Sequence, residues 1–181
     1  MLQPSSPLAS AEHFDQHTTE AVNLFFETEQ LNALPVVEEP EWLEIECCLD
    51  TGSSVHALNR LEIPGCEISE SPGSRVGQQF QAAGGGLIDN EGQALLTMVP
   101  QDADTPHPVS INMQVAKVTR PLISVPKLTE GDKLKVTCMS KEAHVLTTEN
   151  KLVARFKKKH GLYVATMRIK NPKWTPFAGP A

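Results

Sequence analysis

With 181 residues, the chain is the size of one ordinary domain with some length to spare. Apolar residues make up 40% and charged residues 21%, a balance that suits a globular protein in water, and no apolar run approaches a membrane span, so an integral membrane protein is not expected. The start, MLQPSSPLAS, lacks the basic-then-apolar order of a secretory signal, and Cys47, Cys48, Cys66 and Cys138 are too few and too irregular for a disulfide framework or a paired zinc motif.

Reduced thiols in an intracellular protein are therefore expected. The net charge of −6 hides a segregation of sign. Residues 1–50 carry eleven acids and no Lys or Arg, whereas residues 111–181 carry fourteen bases against four acids. Either end can be a partner surface or simply a solvated face.

In chain order, residues 1–11 are rich in Ser and Pro and read as irregular. From Ser10 a helix is possible, with Phe14, Val22, Phe25 and Phe26 near one face, and Pro35 and Pro40 close it. Residues 1–41 thus read as an acidic leader. From Trp42 the period becomes two: Leu43, Ile45, Cys47 and Leu49 share one face while Glu44 and Glu46 take the other. Val109, Ile111, Met113 and Val115 repeat the pattern. Shorter β-like runs follow at Ala94–Val99, Lys133–Cys138, His144–Leu146, Lys151–Phe156 and Leu162–Ile169. Turn material separates them at Pro64-Gly65, Pro72-Gly73, Asp89–Gly92, Glu130–Asp132, Glu149-Asn150 and His160-Gly161. Many short strands at this spacing predict an all-β barrel or sandwich.

One tripeptide carries chemistry. Asp50-Thr51-Gly52, followed by Ser53-Ser54, ends the first predicted strand. An aspartic protease needs a carboxylate at such a strand-to-loop turn, a hydroxyl beside it to fix the loop, and a glycine that lets two loops approach closely. Two carboxylates about 3 Å apart cannot both ionise, so they share one proton; one activates water while the other donates to the scissile carbonyl. Downstream, Gly84-Gly85-Gly86 between two apolar stretches suits the tip of a mobile flap. A bare Asp-Thr-Gly is also an ordinary turn, and a glycine run is also an ordinary hairpin. No second Asp-Thr-Gly or Asp-Ser-Gly occurs in the chain. A protease of this kind must therefore be a homodimer with its site on the two-fold axis.

Leu49-Asp50-Thr51-Gly52-Ser53-Ser54-Val55-His56 resembles the Leu-Asp-Ser-Gly-Ala-Ser-x-His box of the protease region in copia-type retrotransposon polyproteins. Pro121–Leu128 is similar to that family's Asn-Leu-Leu-Ser-Val-x-x-Leu segment, and Lys159-His160-Gly161-Leu162-Tyr163 to the Gly-Leu-Tyr run ahead of its integrase. The resemblance implies a retropepsin-like barrel with a flap hairpin and an aspartic endopeptidase that cleaves its own Gag-Pol polyprotein. Asp50 would be catalytic, with Thr51, Gly52 and Ser53 in the active-site loop and Gly84, Gly85 and Gly86 at the flap tip. No cofactor and no metal are implied. His56 fills the family's His position without an evident chemical role, and a hydrogen-bonded structural histidine is the expected reading.

The chain departs from that pattern at Pro121, which stands where the family has Asn, and at Pro126, which interrupts a potentially helical stretch. No Leu-Leu-Gly-like element of the vertebrate retroviral kind follows. On this reading residues 42–128 form the protease domain, and residues 129–181 a basic β-rich extension towards a missing integrase region. The alternative is a catalytically inactive remnant of the same fold that serves as a dimerisation or peptide-binding module. The run Arg155-Phe156-Lys157-Lys158-Lys159-His160 could neutralise nucleic-acid phosphates, although a solvated turn is the expected reading. His107, His144 and His160 are read as having no acidic or cysteine neighbours at ligand spacing.

Overall fold

The structure, a computed structural model, describes residues 40–103 and 106–175. The helix expected from Ser10 lies outside the described residues. Among the described residues strand makes up 47% and helix 10%, so the class is all-β. Eleven strands are seen among the described residues: β1 (Trp42–Asp50), β2 (Ala57–Leu58), β3 (Gln79–Gln81), β4 (Leu87–Asp89), β5 (Gly92–Pro100), β6 (Val109–Val115), β7 (Leu122–Ser124), β8 (Lys135–Cys138), β9 (Glu142–Leu146), β10 (Leu152–Lys159) and β11 (Leu162–Lys170).

Six of them close a barrel in the order β1-β7-β2-β6-β5-β11, with β11 returning to β1. Closure gives each of these six strands a hydrogen-bonded neighbour on both sides. Strand β11 pairs antiparallel with β1 from Trp42↔Lys170 to Leu49↔Tyr163, and with β5 at Met167↔Pro100 to Ile169↔Met98. Strands β10, β9 and β8 continue outward from β11 as an antiparallel arm. The β10–β11 turn is His160-Gly161, with φ of 51° and 85°. Positive φ at both central residues is what a tight hairpin matching the strand twist requires.

Alternation explains the packing. Ile45 and Cys47 of β1, Ala94, Leu96 and Met98 of β5, Met113 and Val115 of β6, and Met167 and Ile169 of β11 are all buried. The acids of β1 face outward and meet bases of the C-terminal strands: Glu44 takes Arg168 at 2.9 Å, and Glu46 takes Lys159 at 2.5 Å. For these acids of β1 the opposite charge is supplied within the chain. Such exposed pairs contribute about 0–1 kcal/mol each, so they favour the register more than they set stability.

The described residues all belong to one compact unit, and a division at residue 128 falls inside it. Strand β11 is a wall of the barrel, not an extension from it, because it alone joins β1 to β5. Two local readings also change. Pro72-Gly73 begins a short helix, α1 (Pro72–Arg75), capped by Ser71 Oγ accepting the Ser74 N–H at 3.0 Å. Pro126 does not interrupt a helix but precedes the helical turn Lys127–Gly131, with φ −53° and ψ −44°. A proline at the start of a helix gives up no internal hydrogen bond, and its fixed φ is already helical.

Candidate active site

Asp50 is the last residue of β1, half-buried at the point where the strand leaves the barrel wall. Its Oδ1 accepts the backbone N–H of Gly52 at 2.7 Å, which tethers the carboxylate over the turn. Thr51 and Gly52 are exposed. The loop is not held by the Thr51 hydroxyl, as the sequence suggested. Instead Ser53 Oγ donates to the Val55 carbonyl at 2.6 Å, and Ser124 Oγ donates to the Ser53 carbonyl at 2.6 Å.

Gly52 sits with a φ outside the left-handed region. A Cβ added there would meet only Asp50 Oδ1, at 3.4 Å, an ordinary contact. Neither backbone conformation nor packing within one copy demands glycine at this position.

Beside Asp50 runs β7. The pairing is parallel, with Cys48↔Leu122, Leu49↔Ile123 and Asp50↔Ser124. An apolar pair followed by a small residue, Leu122-Ile123-Ser124, thus flanks the aspartate strand where the sequence showed no Leu-Leu-Gly-like element. Ser124 is fully buried. Its N–H donates to Nδ1 of His56 at 3.0 Å, and its Oγ accepts the Lys127 N–H at 3.2 Å. His56 is buried and hydrogen-bonded, as expected of a structural histidine. Burial holds its pKa below the usual 6.5; nearby Asp132 works against that shift and Lys127 with it.

Two hollows adjoin the loop. One of about 460 Å³ is lined by Gly52, Ser53, Ser54 and the turn Pro126–Gly131. The other, of about 250 Å³, is lined by Val55, His56 and the outer part of β6, and shares Lys127 and Gly131 with the first. The wall between them is therefore the turn after β7. A third, apolar hollow of about 470 Å³ lies between β5–β6 and β9–β10.

The glycine run is the tip of a hairpin. Strands β3 and β4 pair as a separate two-stranded sheet, Gln79↔Asp89 to Gln81↔Leu87. Ala82 donates its N–H to the Gly86 carbonyl and Gly85 its N–H to the Ala82 carbonyl, both at 2.8 Å. Gly85 has φ +85°, a conformation that L side chains rarely adopt. Gly84, Gly85 and Gly86 are exposed, and an added Cβ on any of them meets nothing within 4 Å. Neither this hairpin nor Asp50 itself lines the two hollows that adjoin the loop.

The basic run belongs to a strand, not to a solvated turn. Arg155 to Lys159 lie in β10, and Phe156, 1% exposed, enters the core. Lys157 meets Asp102 at 3.2 Å, Lys159 meets Glu46, and Lys158 lies over the Tyr163 ring at 5.7 Å. His144 does have an acidic neighbour: Nε2 lies 2.8 Å from Glu142 Oε1 on the same face of β9, and Glu142 also approaches Arg155 at 3.8 Å. The period-two spacing of Glu142 and His144 was the signal for this contact. Among the described residues no three His, Cys, Asp or Glu side chains are grouped to hold a metal ion, and no helix is long and apolar enough to cross a membrane. The cysteines are free; burial, with Glu62, Cys48 and Glu46 nearby, pushes the Cys47 thiol up to about 12. No protein-family model, curated protein or solved structure matches the chain.

Proposed function

We propose that the chain is a retropepsin-like aspartic endopeptidase whose catalytic dyad consists of Asp50 from each of two copies. The observation that carries this reading is the setting of Asp50. The carboxylate ends a strand of a closed barrel, is held by the Gly52 N–H at 2.7 Å, and leads into an exposed loop. The sequence contains no second Asp-Thr-Gly or Asp-Ser-Gly, so one copy supplies half of the chemistry. Glycine at position 52 serves nothing within one copy; a second loop approaching closely gives it a reason.

In the assembled dyad the two carboxyls share a proton. The ionised one removes a proton from water as the oxygen attacks the peptide carbonyl carbon. The protonated one donates its proton to the carbonyl oxygen. Collapse of the tetrahedral intermediate breaks the C–N bond, and the amine leaves with a proton from the dyad. The Gly84–Gly86 hairpin is assigned the role of flap, closing over an extended peptide and excluding water. The substrate is a polypeptide, in keeping with a copia-type ancestry a Gag-Pol-like polyprotein, and the dyad itself calls for no cofactor.

The test is hydrolysis of an unbiased peptide mixture at mildly acidic pH by the chain and by Asp50→Asn. Cleavage that vanishes with the substitution supports the dyad; cleavage that survives it rules the chemistry out. A dimer that binds peptides without cleaving any of them, and does not take a statine-type mimic, identifies the inactive peptide-binding module instead.

A further inference from the structure

His56 lies 68 residues from Ser124 in sequence, yet its ring nitrogen takes the Ser124 backbone N–H at 3.0 Å. Ser124 is the register partner of Asp50. The same residue ties the loop after Asp50 through Ser53, and the turn after β7 through Lys127. Antiparallel pairing between β2 and β7 is confined to Ala57↔Leu122. Beyond that pair the Ser124 N–H has left the β2 ladder, and a buried N–H without an acceptor is strongly unfavourable. The imidazole of His56 supplies that acceptor one residue before β2 begins.

We propose that His56 is a positioning residue: by accepting the Ser124 N–H it sets β7 against β1 and so fixes the loop that carries Asp50. Its effect on catalysis rests on the peptidase reading given above; the clamp itself does not. A ring that accepts at Nδ1 carries its proton on Nε2. Protonating Nδ1 would turn the acceptor into a donor aimed at another donor, and the clamp would open. The charges acting on the ring are Asp132, which favours the proton, and Lys127, which opposes it, both at the turn after β7. Asp50 stands across Ser124 on β1, and β6 faces the same hollow with the neutral Ser110, Asn112 and Gln114. Burial lowers the pKa, so the clamp's contribution is complete above the ordinary value of about 6.5 and is lost as pH falls through the lower folded value.

The experiment combines 15N NMR of the imidazole with amide exchange at Ser124 in three proteins: the wild type, His56→Asn and His56→Leu. Asn keeps an acceptor at the δ position and cannot titrate; Leu keeps bulk without an acceptor. The expected results are an Nε2–H tautomer near neutral pH, and a Ser124 protection factor that falls at least about tenfold in His56→Leu. In His56→Asn protection holds within about threefold and loses its acid dependence. In the peptidase assay, kcat falls more than KM changes in His56→Leu, and His56→Asn restores it while removing the acid-side loss. A proton on Nδ1 at neutral pH, or undiminished Ser124 protection in His56→Leu, overturns the proposal. Should His56→Leu not fold, the wild-type tautomer and the acid dependence of its Ser124 protection decide. The expected exchange pattern without peptidase activity in any variant upholds the clamp and refutes the protease.

Discussion

Ser124 stands directly opposite Asp50 in the parallel pairing of β1 with β7, and its hydroxyl bridges the Ser53 carbonyl and the Lys127 N–H. One small buried side chain therefore joins two segments that no local sequence signal connects. In Ser124→Ala both partners lose it. Leaving buried polar groups unpaired costs about 1–3 kcal/mol, and urea denaturation is expected to show a loss in that range. A change below about 0.5 kcal/mol, the scatter of ordinary surface substitutions, would show that the bridge contributes nothing.

Gly52 separates a fold requirement from an assembly requirement. Within one copy a methyl at this position meets only Asp50 Oδ1 at 3.4 Å, and φ is not left-handed. Gly52→Ala is expected to leave the stability of a single copy unchanged or raise it by a few tenths of a kcal/mol, because the unfolded chain loses freedom. Dimerisation and peptide hydrolysis are expected to fall together, as read by analytical ultracentrifugation and the peptidase assay. Full dimerisation and activity in Gly52→Ala would remove the close-approach argument.

The last strand, β11, belongs to the barrel, so the C-terminal region cannot be removed. A fragment ending at residue 128 lacks β11, which links β1 to β5, and is expected to show no dispersed NMR spectrum. In the intact chain Phe156, 1% exposed, anchors β10, and Phe156→Ala is expected to cost about 3–5 kcal/mol. A cooperative, folded 40–128 fragment would contradict this architecture.

The thiols are expected to react in order of exposure. Cys138 is exposed, Cys66 is half-buried, and Cys47 and Cys48 are buried. Burial places the Cys47 pKa at about 12, so almost none of it is thiolate at neutral pH. Alkylation followed by peptide mass spectrometry is expected to label Cys138 first and Cys47 only on unfolding. Equal rates for the two would show that β1 is not held in the core.

Strands long enough to show period-two alternation were legible in the sequence, among them β1, β5, β6 and β11. The two- and three-residue strands β2, β3, β4 and β7 were not, because their pairing partners define them and no periodicity fits in so short a run. Phe156 ends the β-like run Lys151–Phe156, yet its four basic neighbours make the stretch from Arg155 onward look like a solvated turn instead of a strand with a core position. Pro126 was read as an interruption because proline breaks a helix in its interior, whereas here it opens one. Around Asp50 the tripeptide and the glycine hairpin were visible, and Pro121–Leu128 was singled out only as a resemblance. That this segment lies beside Asp50, and that His56 and Ser124 join hands there, depends on contacts across 68 residues, which local pattern cannot encode.

The most direct measurement is a subunit-mixing titration. Wild-type chain at fixed concentration is exchanged with increasing Asp50→Asn chain, and peptide hydrolysis is followed. If each active unit needs an Asp50 from both copies, an equal amount of the variant leaves about half of the activity, and an excess drives it towards zero as mixed dimers form. Hydrolysis that is indifferent to the added variant, or that never appears in the wild type, contradicts the account.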